Sequence, residues 1–423
     1  MLKNTMYRHW AIFLITSSNF FISQFYRASN AVIAPQLIQD LHLDTKGLGL
    51  ISAAFFYAFA ITQIPISIFL DRVGPRRMMT GLSLVGIAGA LVFSWADSLT
   101  TGVIGRLLLG VGMACNLMGT LKLLTVWFDP LRFATLSGVV FSIGTLGNIA
   151  AATPLVLLAQ AMGWRMAYRF IAGINLLATF ALYIIVRDRP GQGSQVSSTP
   201  EATPRLSQAL QDLGLLLRDR SYWIISCGTL VSYGVFAAFQ VLWAGPYLME
   251  VQGLSALKAG NLILLMNVGM ILGGPAWGTI SDRLFKTRKV IVFSGLLVLF
   301  LILLLLAIIP PGTGLMVLAS IFFGFGFFRA TSLLMYAHIT ELMPLEMAGT
   351  AMTGVNFFTM MGPAVFLQGM GSLMQSLYPN ASRGPEAFNA SFLLCTACLC
   401  GASILYFFTR ERKGVDQDQV PKI

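Results

Sequence analysis

Five basic side chains lie inside apolar stretches that are long enough to cross a lipid bilayer. They are Arg27, Arg106, Lys122, Arg169 and Arg329. A charge within a bilayer is costly and usually marks a functional position. Arginine stays charged, and its planar fork can bind a carboxylate or a phosphate through two parallel hydrogen bonds. The pattern therefore predicts a site for an anion within the membrane.

The embedded charges are all basic, because each of the 17 acidic residues falls in a loop or near the end of an apolar stretch. Arg27 and Arg106 lie at similar depth, in the first and fourth stretches, and we expect them to flank one anion. Arg329 is the only embedded charge of the C-terminal half and would approach the same anion from the other side. The alternative is that each arginine is satisfied by backbone carbonyls or other helix contacts. Lys122 and Arg169 fit structural or interfacial roles better.

The composition predicts an all-α polytopic membrane protein. Hydrophobic residues make up 56% of the chain and charged residues 11%, whereas soluble domains have about 25% charged residues. The mean hydropathy is +0.75. The length accommodates about twelve spans of roughly 20–25 residues. Of the 28 lysines and arginines, 23 lie outside the spans and 19 of these fall on one side, so we expect both termini and the central loop to be cytoplasmic. This distribution makes the net charge an orientation signal and argues against nucleic-acid binding.

The order of apolar stretches predicts two six-helix bundles with a linker between them. We expect an N-terminal bundle over 1–187 and a C-terminal bundle over 221–409, followed by a cytoplasmic tail over 410–423. The linker, 188–220, is rich in Pro, Gly, Ser and Thr, a composition typical of flexible segments. Its second part is amphipathic at helical spacing and could lie on the membrane surface.

Two charged strings about two hundred residues apart indicate that the bundles are duplicated units. The first runs from Ser67 to Arg77 (SIFLDRVGPRR) and the second from Gly278 to Lys289 (GTISDRLFKTRK). A further match pairs Gly110-Val-Gly112 with Gly324-Phe-Gly326. Duplicated halves are how many transporters build a site near the middle of the bilayer.

These strings resemble the loop motif G-x3-D-R-x-G-x-R-R of the major facilitator superfamily. Ser67 replaces the first glycine of that motif, and in the second copy Phe285 stands where its inner glycine would be. The resemblance covers nearly the whole chain and implies transport by rocker-switch alternating access, without a cofactor. It also implies that the strings act as a latch between the bundles on the cytoplasmic side. The latch residues would be Asp71, Arg72, Arg76, Asp282 and Arg283.

The first span is most similar to the organic-anion and solute symporter branches of that superfamily. Arg27 occupies the place of an arginine that follows an aspartate in those branches, and here Tyr26 replaces the aspartate. A glycine-rich stretch in span five loosely resembles the antiporter motif of the superfamily but lacks its proline. Other polar or aromatic residues in the spans are candidates for contact with the solute, although such residues also hold membrane helices together. These candidates are Tyr26, Asn30, Tyr233, Gln240, Trp243, Asn267 and Asn356.

The residues therefore favour a carrier of a small anionic or zwitterionic organic solute, such as a carboxylate or an amino acid. The alternative is a drug or metabolite efflux antiporter, which would need an acid in the cavity to meet cations. An enzyme is not expected, since the spans contain no nucleophile motif, metal cluster or phosphate-binding loop. We expect a monomer in a bacterial inner (plasma) membrane. The sequence leaves open whether H⁺, Na⁺ or neither is the coupling ion.

Overall fold

A computed structural model describes residues 2–188, 214 and 216–411, without the side chains of some helical residues, Asp71 and Asp282 among them. The described chain is helical throughout. The predicted linker and the end of the tail lie largely outside the described residues. The helices of the first half are α1 (Leu2–Ala28), α2 (Asn30–Leu41), α3 (Thr45–Val73), α4 (Pro75–Ser94), α5 (Leu99–Met113), α6 (Asn116–Trp127), α7 (Pro130–Ala150) and α8 (Thr153–Ile185).

The second half is also built of helices and has more local distortion. Its helices are α9 (Arg220–Ala238), α10 (Ala256–Thr279), α11 (Lys289–Ile308), α12 (Leu315–Arg329), α13 (Leu334–Leu342), α14 (Leu345–Leu377) and α15 (Pro385–Phe407). Wide π turns extend α9 over Phe239–Trp243 and Tyr247–Val251, and α10 over Ile280–Phe285. A 3-10 turn, Ala330–Leu333, joins α12 to α13.

Ten helical stretches among the described residues are long and apolar enough to cross a membrane. The predictions of an all-helical fold and of membrane-spanning helices are therefore confirmed, whereas the count of twelve spans stays a prediction. Glycine occupies positions with a positive φ at a helix end and at a helix kink. Gly74 has φ +90° between α3 and α4, and Gly163 has φ +78° where α8 changes direction, conformations that other residues adopt at a cost.

Three helices are interrupted in the interior of the protein rather than at its faces. The interruptions follow Ala28 in α1, Met113 in α5 and Arg329 in α12. Side chains donate hydrogen bonds to carbonyls near these interruptions. Ser23 donates to the Met113 carbonyl over 3.2 Å, and Ser29 donates to the Tyr26 carbonyl over 3.0 Å. Interrupted helices at membrane depth are a common feature of transporter binding sites.

The two halves pack closely at one end of the molecule. We call this end, formed by loops 42–44, 95–98, 252–255, 309–314 and 378–384, the distal face; the terminal face is the end where α1 begins and α15 ends. A methyl group added to Gly245 would overlap the carbonyl oxygen of Ala31 in the opposite half. Thr45 and Ser382 share a hydrogen bond of 2.6 Å, and Tyr57 donates to Gln368 over 2.9 Å.

The part of α3 nearer the terminal face is much more exposed than its first half. Phe55 and Phe56 have no accessible surface, whereas Ile61 and Ile64 are more than half exposed. The first half of α3 packs along α14. A methyl group added to Gly49 there would overlap the carbonyl oxygen of Leu367. The distal face is thus closed by direct contact between the halves.

Candidate anion site

Arg27 and Arg329, one from each half, converge on the aromatic ring of Tyr233. The guanidinium carbon of Arg27 lies 5.8 Å from the ring centroid, and that of Arg329 lies 5.1 Å from it. The two carbons are therefore within about 11 Å of each other, the sum of these distances. Phe236, one helical turn along α9, lies 5.7 Å from the same atom of Arg329. These four residues form what we call the arginine cluster.

The arginines of the cluster retain donors that the protein does not use. Nε of Arg27 and both Nε and Nη1 of Arg329 are buried and have no hydrogen-bond partner among the described residues. Arg329 is 5% exposed, and Arg27 is partly buried. Buried polar groups are normally hydrogen-bonded, so these donors are available to a solute that supplies acceptors.

The local surroundings offset the burial of these charges only in part. Stacking on an aromatic ring stabilises a cation by about 0.5–2 kcal/mol. Both arginines lie in the last turn of their helices, where the helix dipole adds about 0.3–1 kcal/mol. The effective penalty for removing an ion from water is several kcal/mol. An anion between the arginines would make up the difference, which is why the cluster suits anion binding.

Polar side chains next to Arg329 can contribute further hydrogen bonds. Tyr336 lies near Arg329. Its hydroxyl lies 3.0 Å from Oδ1 of Asn356 and 2.9 Å from Oγ1 of Thr359. Asn356 was expected from the sequence to meet the solute. Tyr336 and Thr359 were not, because a hydroxyl within an apolar helix carries no signal of the direction in which it points.

Arg106 does not join the cluster. It has no accessible surface, and its Nη1 donates to the backbone carbonyl oxygen of Tyr26 over 2.8 Å. Its guanidinium carbon lies 4.9 Å from the ring centroid of Phe55 and 5.9 Å from that of Phe93. The expectation that Arg106 and Arg27 flank one anion is thus not met in this conformation. Arg106 reaches the backbone next to Arg27, but its side chain points into the core of its own half.

Two further candidates of the first half are also enclosed. Tyr26 has no accessible surface, and its hydroxyl has no partner among the described residues. The side-chain amide of Asn30 donates to Ser52 over 2.9 Å, and its oxygen accepts from Tyr168 over 3.5 Å. Tyr168 also shares a short hydrogen bond with Ser29. These contacts stabilise the interruption that follows Ala28 in α1. They therefore help to fix the position of Arg27 in the cluster.

The candidates of the second half away from the cluster hold helices together. Gln240 donates to Asn267 over 2.6 Å, and both side chains are buried. Asn267 in turn donates to the Ile263 carbonyl over 2.8 Å. Trp243 is fully buried, and its Nε1 donates to the Leu367 carbonyl over 3.3 Å. The hydrogen bonds of these three residues fit the alternative weighed for them from the sequence, that of joining membrane helices.

The charged strings lie at the terminal face. The backbone amide of Arg76 donates to Asp188 over 2.7 Å, and its Nε donates to the Tyr183 carbonyl over 2.9 Å. These contacts do not reach the second half. Arg72 and Arg283 are exposed. The side chains of Asp71 and Asp282 lie outside the described residues, so the latch stays a prediction.

The match to a family model extends over most of the chain. The model described as Major Facilitator Superfamily matches residues 16–367. The chain belongs to this superfamily, and it is an integral membrane transporter.

Curated relatives match along most of their length at low identity. The probable sulfoacetate transporter SauU of Cupriavidus necator is 23% identical over 82% of this chain and 84% of its own. The probable galactarate/D-glucarate transporter GarP of Escherichia coli is 24% identical over 94% of this chain and 92% of its own. The glycerol-3-phosphate transporter of Bacillus subtilis is 27% identical over 80% of both chains.

Solved structures share the fold. A bacterial homolog of the human lysosomal transporter Spinster, in an inward-facing and unoccupied conformation, superposes with a TM-score of 0.75 at 17% identity, over 96% of both chains. The D-xylose-proton symporter gives 0.75 at 13% identity, over 95% of this chain and 97% of its own. At these identities the similarity establishes the architecture alone.

Proposed function

We propose that this protein transports a small organic anion across the membrane by alternating access, with Arg27 and Arg329 binding its acidic groups. The observation that carries the proposal is the convergence of two incompletely paired arginines, from opposite halves, on the ring of Tyr233. Binding of one solute by both halves couples occupancy to their relative movement, because the ligand stabilises the arrangement that brings the arginines together.

The relatives support an anionic solute. Those described above are named for sulfoacetate, for galactarate and glucarate, and for glycerol 3-phosphate, all of which carry an acidic group. Drug efflux, the other candidate from the sequence, is not favoured. A cationic drug would meet only basic charges at the cluster, since the sequence places the 17 acids in loops or near span ends and those among the described residues lie at helix ends or in loops.

We further place the protein in the inner membrane of a bacterium, with the terminal face in the cytoplasm. The distribution of basic residues supports this orientation, and the relatives named above are bacterial. With the distal face closed, the conformation described here would then face inward. Asp71 and Asp282 would form the latch when the terminal face closes. We expect the protein to act as a monomer.

Uptake into proteoliposomes tests the proposal. The panel comprises sulfoacetate, glucarate, glucuronate and glycerol 3-phosphate, with a neutral amino acid and a cationic dye as counter-examples. At least one anion should be taken up, and Arg27→Gln and Arg329→Gln should each reduce its uptake. Lys258→Gln serves as the control, because Lys258 is an exposed residue near the distal face. Uptake of the dye but of no anion would refute the proposal.

A further inference from the structure

Within the helices that the structure describes, no acid lies far enough from a helix end to neutralise the arginine cluster. The acids that lie furthest inside the described helices are still close to helix ends: Asp71 is two residues from the end of α3, and Asp282 is three residues from the end of the π turn that extends α10. The two arginines of the cluster therefore keep their charge whether or not the cavity is open. Many carriers return empty by placing a proton on an embedded carboxylate or by forming an internal ion pair, and the sequence provides neither at this depth.

The change from a cavity open at one face to a cavity open at the other affects the repulsion between the two arginines differently with and without a bound anion. Arg27 moves with the first half, and Arg329 and Tyr233 move with the second. Closing the cavity around both arginines removes the water that screens their repulsion. A bound anion replaces that screening with direct charge pairing, and an unoccupied cluster has no substitute for it. Only the loaded protein should pass readily through the closed intermediate.

We infer that the protein is an anion exchanger, in which the step that returns the carrier to the other face requires a second anion of the same class. This inference rests on the proposed function and defines its mode. The unused donors of Arg27 and Arg329, with their shared contact on Tyr233, carry it. Exchange moves one anion inward for each anion moved outward, so net charge crosses the membrane only when the two anions differ in charge.

The experiment compares two modes of transport in the same proteoliposome preparation. Uptake of radiolabelled glucarate, or of the panel anion with the highest uptake, is measured into vesicles preloaded with the unlabelled anion and into vesicles containing buffer alone. The empty vesicles are tested with no gradient, with an inward H⁺ gradient and with an inward Na⁺ gradient. We expect initial uptake into preloaded vesicles to be at least tenfold faster than in all three other arms.

Equal rates in preloaded vesicles and in vesicles with an H⁺ or Na⁺ gradient would overturn the inference and leave the proposed function standing. Absence of anion uptake in every arm would instead overturn the proposed function, and the inference with it. These two failures are therefore distinguishable from the same data set.

Variants test whether the arginine charge sets the mode. Arg329→Gln and Arg27→Gln each remove one uncompensated cation, so the ratio of net uptake to exchange should rise severalfold over wild type, although exchange itself becomes slower. Lys258→Gln should keep the wild-type ratio. The ratio is measured within one preparation, so differences in the amount of folded protein cancel. An unchanged ratio in both arginine variants would overturn the assignment of the mode to these charges.

Discussion

Arg27 and Arg329 lie against the same aromatic ring, 5.8 Å and 5.1 Å from the centroid of Tyr233, although they belong to opposite halves of the molecule. Tyr233 thus has a second role besides any contact it makes with the solute. In this conformation its ring contacts two like charges at once, and the closed distal face keeps the two halves in the register that this contact needs. Because the two arginines share this ring, the candidate anion site depends on both halves of the molecule.

The ring of Tyr233, more than its hydroxyl, should matter for binding. Tyr233→Phe keeps the aromatic face, whereas Tyr233→Leu removes it. Loss of a cation–π contact of about 0.5–2 kcal/mol corresponds to a change of roughly 2-fold to 30-fold in affinity. We expect the half-saturating anion concentration to rise within this range for the leucine variant and to change little for the phenylalanine variant. An equal rise of the half-saturating anion concentration in both variants would show that the site uses the hydroxyl and not the ring.

The enclosure of Arg106 predicts that its position is inaccessible from the cavity. Single cysteines at positions 27 and 106 can be compared in a background in which the five native cysteines, all free in the structure, are replaced. A positively charged thiol reagent should modify the cysteine at position 27. The cysteine at position 106 should not react. Labelling at position 106 that the anion prevents would place Arg106 in the site.

The glycine contact between the halves should be required for closing the distal face. Gly245→Ala adds a methyl group that would overlap the Ala31 carbonyl oxygen, whereas Gly274→Ala adds one where no atom lies within 4 Å. The first variant should disfavour the closed distal face and abolish most transport, and the second should behave as wild type. Distances between spin labels on the loops 42–44 and 378–384 report the change directly. An unaltered distance distribution in Gly245→Ala would contradict this reading of the contact.

The sequence was informative about depth but not about direction. Counting residues from a helix end predicted one level for Arg27 and Arg106, and Arg106 does reach the carbonyl of Tyr26, the neighbour of Arg27. It could not show that Arg106 points towards Phe55 and the Tyr26 carbonyl, since the rotation of a helix about its axis depends on partners far away in the chain. The hydrogen bond between Gln240 and Asn267 was not predicted from the sequence for the same reason. Helices, by contrast, follow from apolar runs and local Gly and Pro signals, so the fold was predictable.

The latch predicted for the charged strings is open to a separate test. Asp71→Asn removes a carboxylate that would meet helix ends and arginines when the terminal face closes. We expect a lower transport rate, with normal amounts of protein in the membrane and an unchanged anion affinity. Glu386→Gln, at an exposed acid near the distal face, is the matched control. Wild-type transport by Asp71→Asn would exclude the latch.

Anion binding by the arginine cluster can be measured most directly by calorimetry on the purified protein in nanodiscs, with the anion that uptake identifies. Hydrogen bonds to a charged group contribute about 1.5–3 kcal/mol, so Arg27→Gln and Arg329→Gln should each weaken binding by roughly 10-fold to 150-fold. Lys258→Gln should bind as wild type does. Wild-type affinity in both arginine variants would contradict the account, because the anion would then bind elsewhere.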